Sequence, residues 1–335
     1  MDQAWDVGRA AVVDAEELRY RPDSGSGRYE CVGCGCPATA AALDSERVRP
    51  YFRAGKEHPH LRGCPIAGDP TLVRSDGPLE PARTERAAGT RYPCRLVRAT
   101  AHELVDPTAT DDPERQSSRS DSRSGESGGN EQLREATAAT IRPFCRTFIR
   151  YPDSRVDLRI QIPGIDAEYY QYAFRRLDFD KIVVYPRSRI FYAEVAWSTA
   201  PEFTDAAAVV SLYAGERDPQ LRARVLRPYR VIIDWSGWNQ RLRSALRREI
   251  ASARREAREH SGSDAKSWFF FLSEPNRDDP EVFRLDHYSD YAFVTAHLSY
   301  PVKKPEAARS SSSSPVSSRF RKSTRRRRGP LRHVD

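Results

Sequence analysis

The chain has little from which to build a large interior and nothing with which to cross a bilayer as a helix. Only 39% of its 335 residues are hydrophobic and 30% are charged. No run of 18 or more apolar residues occurs, so no helical membrane span is expected. The opening residues MDQAWDVGRA contain no apolar signal core. A cytoplasmic, reducing setting is therefore expected, where clustered cysteines act as metal ligands rather than as disulfides. There is no P-loop, no dinucleotide fingerprint and no HExxH. Lysine is also scarce. It occupies six positions, so most of the 55 basic residues are arginine. Planar guanidinium groups suit phosphate recognition, but a GC-rich coding sequence gives the same ratio.

What is present begins with charge. The net charge of +8 favours polyanionic partners without proving them. The length allows two domains, or one sizeable core diluted by unstructured segments. Residues 106–132 read DPTATDDPERQSSRSDSRSGESGGNEQ and carry no large apolar side chain. Such a stretch cannot bury enough area to offset its ordering entropy, so 105–135 is expected to be a linker. It divides the chain into an N-terminal module, 1–104, and an α+β domain, 136–302. Residues 303–335 return to low complexity. Five serines run from Ser310 to Ser314, and Arg325, Arg326, Arg327 and Arg328 follow without an acid nearby. This tail is expected to be disordered and to bind polyanions in a salt-dependent way, or simply to be solvated.

The most informative stretch runs from Tyr29 to Cys64. It contains four of the six cysteines and the pair His58 and His60. Two thiolates separated by two residues can point into one tetrahedron if the backbone between them turns sharply. Gly33 and Gly35 supply the freedom for that turn. The segment His60-Leu-Arg-Gly-Cys64 offers an imidazole and a second thiolate. The preferred zinc ligands are Cys31, Cys34, His60 and Cys64, with Cys36 and His58 as substitutes. Four protein ligands leave no open position, so a structural Zn2+ is expected. A redox CxxC pair is the alternative, but no βαβ pattern follows it.

These residues carry a resemblance. A CxxC hairpin, then the Pro50-Tyr51-Phe52-Arg53 run, then a His/Cys pair resembles the N-terminal zinc ribbon of competence protein CoiA-like proteins. That family has a His-Phe-x-His element where this chain has Tyr51-Phe52-Arg53-Ala54, so His58 and His60 would have to replace it. In the family the ribbon precedes a nuclease-like domain, which implies DNA or RNA as partner. The remainder resembles bacterial proteins of mobile elements, with no motif specific enough to transfer a function.

Beyond the linker, strands are expected at 147–149, 156–162, 182–185, 190–197, 225–234, 268–272 and 291–298. Pro186-Arg187-Ser188 reads as a hairpin turn, and Asp166–Arg176 as a short helix. The longest helix is expected from Trp238 to His260. Leu242, Ala245, Leu246, Ile250, Ala253 and Ala257 form its buried stripe. Arg247, Arg254 and Arg258 lie among arginines that either face solvent or contact phosphate. Tyr51 and Phe52 are expected to cover the apolar side of the metal, while His102, Cys94 and Cys145 read as isolated structural residues.

For catalysis the best set is Asp178, Asp180 and Glu194, carboxylates flanking adjacent strands that could hold Mg²⁺ as in restriction-type nucleases. Ala196 stands where such enzymes place a lysine, which argues against it. The expected function is a non-enzymatic, zinc-stabilised nucleic-acid-binding protein. The alternatives are a metal-dependent nuclease with a degenerate core and a module that binds a protein partner.

Overall fold

The computed structural model describes residues 1–21, 27–45, 48–62, 64, 66–67, 90–98, 134–221 and 223–300. In chain order the N-terminal strands are β1 (Gln3–Asp6), β2 (Ala11–Asp14), β3 (Tyr29–Glu30), β4 (Pro37–Ala41), β5 (Tyr51–Ala54), β6 (Arg91–Leu96) and β7 (Arg134–Ala138). Helices α1 (Arg142–Arg150) and α2 (Tyr170–Ala173) come next, then β8 (Phe174–Arg176), β9 (Arg189–Glu194), β10 (Glu202–Phe203), β11 (Ala207–Arg217) and β12 (Val225–Asp234). Helix α3 (Gln240–Glu259), β13 (Ala265–Ser273), β14 (Val282–Leu285) and β15 (Tyr291–His297) complete the order.

Three mixed sheets and few helices make the fold α+β. The first sheet has the order β5-β4-β3-β1-β2-β7-β6, the second β10-β11-β12-β14 and the third β15-β13-β9-β8. No helix among the described residues is long and apolar enough to cross a membrane.

The third sheet is buried on both faces, and its sequence shows why. In β13 the run Ala-Lys-Ser-Trp-Phe-Phe-Phe-Leu-Ser alternates two apolar sets. Trp268, Phe270 and Leu272 enter a core with Phe144, Phe148 and Ile149 of α1. Phe269 and Phe271 enter a second core with the inward residues of β11, β12 and α3. A strand with only one buried face would alternate apolar with polar residues instead. In β11 that alternation is present as Ala208, Val210, Leu212 and Ala214, all buried, with Ala207, Val209, Ser211 and Tyr213 more open.

Several expected elements differ. Thr147-Phe148-Ile149 is helical, because Phe144, Cys145, Phe148 and Ile149 recur at helical spacing and are buried together. The run 156–162 alternates as a strand should, with Leu158, Ile160 and Ile162 buried, but it makes only isolated bridges, Arg95 to Gln161 and Arg159 to Tyr169. Only Tyr170–Ala173 of the expected 166–176 helix is helical, and Phe174–Arg176 pairs in parallel with β9. Residues 182–185 form no strand. The Val183 N–H donates to the Tyr229 hydroxyl at 2.7 Å instead of to a ladder, so Pro186 closes no hairpin. Helix α3 runs Gln240–Glu259 and starts at Asn239, whose side chain accepts the Leu242 N–H at 3.0 Å.

Described residues on both sides of the 105–135 segment fall in one compact unit, Met1–Tyr300. Strand β7 lies parallel to both β2 and β6. Buried charges then join the first sheet to α1 and α3. Arg146 bonds Asp14 at 3.0 Å and pairs with Asp2 at 3.0 Å, and Arg142 grips Glu249 through two nitrogens. Tyr20 donates to the same Glu249 at 2.7 Å, while Arg49 makes a forked contact with Glu256 at 2.6 and 2.9 Å. Glu249 lies among the arginines of α3 in the sequence. It is 1% exposed because a guanidinium from α1 reaches it. The rest of the linker, 105–133, and the tail 303–335 lie outside the described residues.

Candidate metal centre

The turn 32–34 folds Cys31 and Cys34 toward the same point. The Cys31 N–H donates to the Cys36 carbonyl at 2.8 Å, and the Gly35 N–H to the Cys31 carbonyl at 2.9 Å. Gly35 sits at φ +73, a left-handed conformation that side chains rarely adopt. These two bonds close a loop tight enough to bring Cys36 inward as well. Strands β3 and β4 on either side hold the loop at the sheet end.

Cys31, Cys34, Cys36 and His60 place one donor atom each within 4.8 Å of one another. The arrangement could hold a metal ion. The His60 Nδ1 lies 3.4 Å from the Cys34 Sγ and 3.5 Å from the Cys36 Sγ. The Cys64 Sγ is 3.8 Å from the Cys31 Sγ. Around tetrahedral zinc, bonds of about 2.3 Å to sulfur and about 2.0 Å to nitrogen set S···S edges of about 3.8 Å and S···N edges of about 3.5 Å. These three separations match those edges, and the soft donor set suits zinc.

Main-chain N–H groups are aimed at three of the sulfurs. Gly33 and Cys34 donate to Cys31, Cys36 and Leu61 to Cys34, and Ile66 and Ala67 to Cys64. Such bonds stabilise a thiolate. Burial pushes the Cys31 and Cys64 thiols up. Burial also acts to raise Cys34, but the Cys36 and Leu61 N–H groups, with His60, outweigh it and bring that thiol down to about 6. Cys36 is pushed up to about 11 by burial and by the neighbouring Cys34 sulfur.

One side of the centre is apolar. Val12, Val32, Ile66 and Ala136 pack with Cys31 and Cys36. Phe52 does not cover the metal side. It is buried on the other face of the sheet with Tyr29, Leu18 and Val13, and Tyr51 is half-buried. His58 is exposed. Cys94 is half-buried and Cys145 buried, while His102 lies outside the described residues.

The acidic set does not converge. Glu194 faces Arg176 at 3.6 Å, and Asp180 faces Arg217 at 3.8 Å. Asp178 accepts the N–H groups of Asp180 and Lys181. Asp234, at the end of β12, accepts from Ser236. Among the described residues, the thiol cluster is the one group of three or more His, Cys, Asp or Glu donors that comes together.

Of the arginines singled out on α3, Arg247 is exposed over the Phe203 and Trp235 rings, Arg254 donates to the Trp197 carbonyl at 2.9 Å, and Arg258 is exposed. Arg325, Arg326, Arg327 and Arg328 lie outside the described residues. Cys36, a substitute ligand by sequence, belongs to the cluster, and the CxxCxC spacing with a glycine at each side of Cys34 is the signal for it.

Comparisons with protein-family models, with curated proteins and with solved structures gave no match to this chain.

Proposed function

We propose that the chain is a zinc-stabilised nucleic-acid-binding protein and that the metal is structural. The observation that carries the reading is the convergence of three thiols and one imidazole, those of Cys31, Cys34, Cys36 and His60, with the Cys64 sulfur 3.8 Å from that of Cys31. Four donors meet, the number that zinc takes. Cys31, Cys34, Cys36 and His60, whose donor atoms lie within 4.8 Å of one another, would be the four ligands, with Cys64 beside Cys31. A filled tetrahedron leaves no place for an activated water. The nucleic-acid half is supported by the net charge of +8, by the arginines of α3 and by the likeness of Tyr29 to Cys64 to a CoiA-like zinc ribbon.

Two measurements test the two halves. Metal analysis of purified protein is expected to return one zinc per chain; protein that folds without metal refutes the first half. An anisotropy titration against nucleic acid is expected to show log affinity falling linearly with log salt. A flat line, or no binding, removes the second half.

A further inference from the structure

We propose that the ledge between α3 and β10 binds single-stranded nucleic acid. Trp197 and Phe203 would be its stacking platforms, and Arg243, Arg247 and Arg254 its phosphate contacts. This rests on the nucleic-acid reading above and adds a surface and a strand type to it.

At 100° per residue, positions 243, 247 and 254 fall on one stripe of α3, about 16 Å long at 1.5 Å per residue. The stripe beside it, Leu246, Ile250 and Ala253, is buried. The arginines are thereby held at the rim where the helix meets β10 and the end of β9.

The rim carries exposed aromatic surface. Trp197 is 44% exposed and Phe203 is 40% exposed. Phe203 is fixed from below by the buried Trp235, with ring centroids 5.7 Å apart and planes at 14°. The Arg247 guanidinium carbon lies 5.1 Å from both of those ring centroids, and that of Arg243 lies 5.9 Å from Trp235. Rings and guanidinium planes that brace one another lose little freedom when a ligand arrives.

The charge on this rim is uncompensated at contact distance. Arg243 donates to the carbonyls of Trp238 and Ser236, and Arg254 to that of Trp197. Among the described residues none of the three pairs with a carboxylate. The exposed Glu202 and Asp205 flank Phe203 without bonding to these arginines.

Paired bases are already stacked and offer a duplex-binding protein only edges and phosphates. A solvent-facing ring between arginines gains most from an unpaired base, whose face is free.

The test uses the full chain, a labelled oligothymidylate and a duplex of the same length. Wild type is expected to prefer the single strand. The Trp197→Ala/Phe203→Leu variant is expected to lose about tenfold or more in oligothymidylate affinity with duplex binding unchanged. Arg247→Gln is expected to weaken both and to reduce the salt slope. A thermal melt matching wild type shows that each variant is folded; should the double variant misfold, Trp197→Ala alone carries the comparison. If the aromatic variants bind oligothymidylate as wild type does, or if wild type prefers duplex, the ledge is not the site, while the general nucleic-acid reading stands. If neither probe binds, both fall, and the exposed rings point to a protein partner.

Discussion

In the thiol cluster around His60 the groups drawn together are all electron-pair donors. In the network around Arg142 every carboxylate meets a guanidinium. Both regions keep ionisable groups away from bulk water, so each must offset a desolvation cost. The network does so within the chain: Glu249 is held by Arg142 and Tyr20, and Asp14 by Arg146. Among the described residues no arginine or lysine side chain bonds to the cluster, and Cys31 and Cys64 are pushed toward the neutral form by burial. A self-compensated interior needs only folding. A set of like donors needs an ion from outside to become strongly bound.

The contrast can be broken most directly by chelation. Removing metal is expected to lower the melting temperature and to open hydrogen exchange around residues 29–54, while β9, β13 and β15 stay protected. Equal protection in both regions would mean that the cluster, like the network, needs nothing added.

Next in size is the network itself. Arg142→Met leaves Glu249 buried without its cation and is expected to cost about 3–5 kcal/mol in denaturant unfolding. The double variant Arg142→Met/Glu249→Leu is expected to recover most of that loss. Failure to recover it would show that the pair does more than cancel its own charge.

Within the cluster, Cys36→Ser is expected to cut zinc affinity by about tenfold or more relative to Cys64→Ser, because the Cys36 sulfur is one of the four donors that lie within 4.8 Å of one another. Competition with a chromogenic chelator measures this, and the reverse order would assign the fourth position to Cys64.

A smaller effect comes from pH. Burial acts to raise Glu249 and Glu256, but the guanidiniums of Arg142 and Arg49 outweigh it and hold both below the ordinary value of 4.5. Their stabilisation is complete above that value and is lost as pH falls through the lower folded values. Asp14 and Glu16 are raised, burial outweighing Arg146 and Arg49, and so act in the opposite sense. The acid limb of stability should therefore be shallow, and shallower still in Glu256→Gln. An unchanged limb in that variant would remove Glu256 from the account. The smallest effect is expected at the exposed Arg187–Asp166 pair, where Arg187→Ala should change stability by about 0.5 kcal/mol or less.

Much of the site was legible because ligand chemistry is written in short spacings. CxxC and a following His/Cys pair restrict what those residues can do wherever the chain goes. Helix α3 was legible for a similar reason, since Leu246, Ile250 and Ala253 announce a buried stripe through neighbours on the same helix. Strands were harder. The run 156–162 has the alternation of a strand but no continuous partner, and Ala207–Arg217 hides a long strand behind small residues. The expectation that 1–104 stands apart rested on the composition of the linker. Composition says nothing of β7 lying between β2 and β6, or of Arg142 reaching Glu249.

The sequence by itself determined the donor types of the metal centre, the apolar stripe of α3 and the excess of positive charge. Each depends on residues close together in the chain. Tertiary structure alone decided that Cys36 joins the other thiols, that Glu249 is buried rather than solvated, and that the Trp197 carbonyl and the Phe203 ring meet arginines of α3. Those outcomes depend on which distant segment supplies the neighbour, and a contact between remote residues leaves no mark in local spacing.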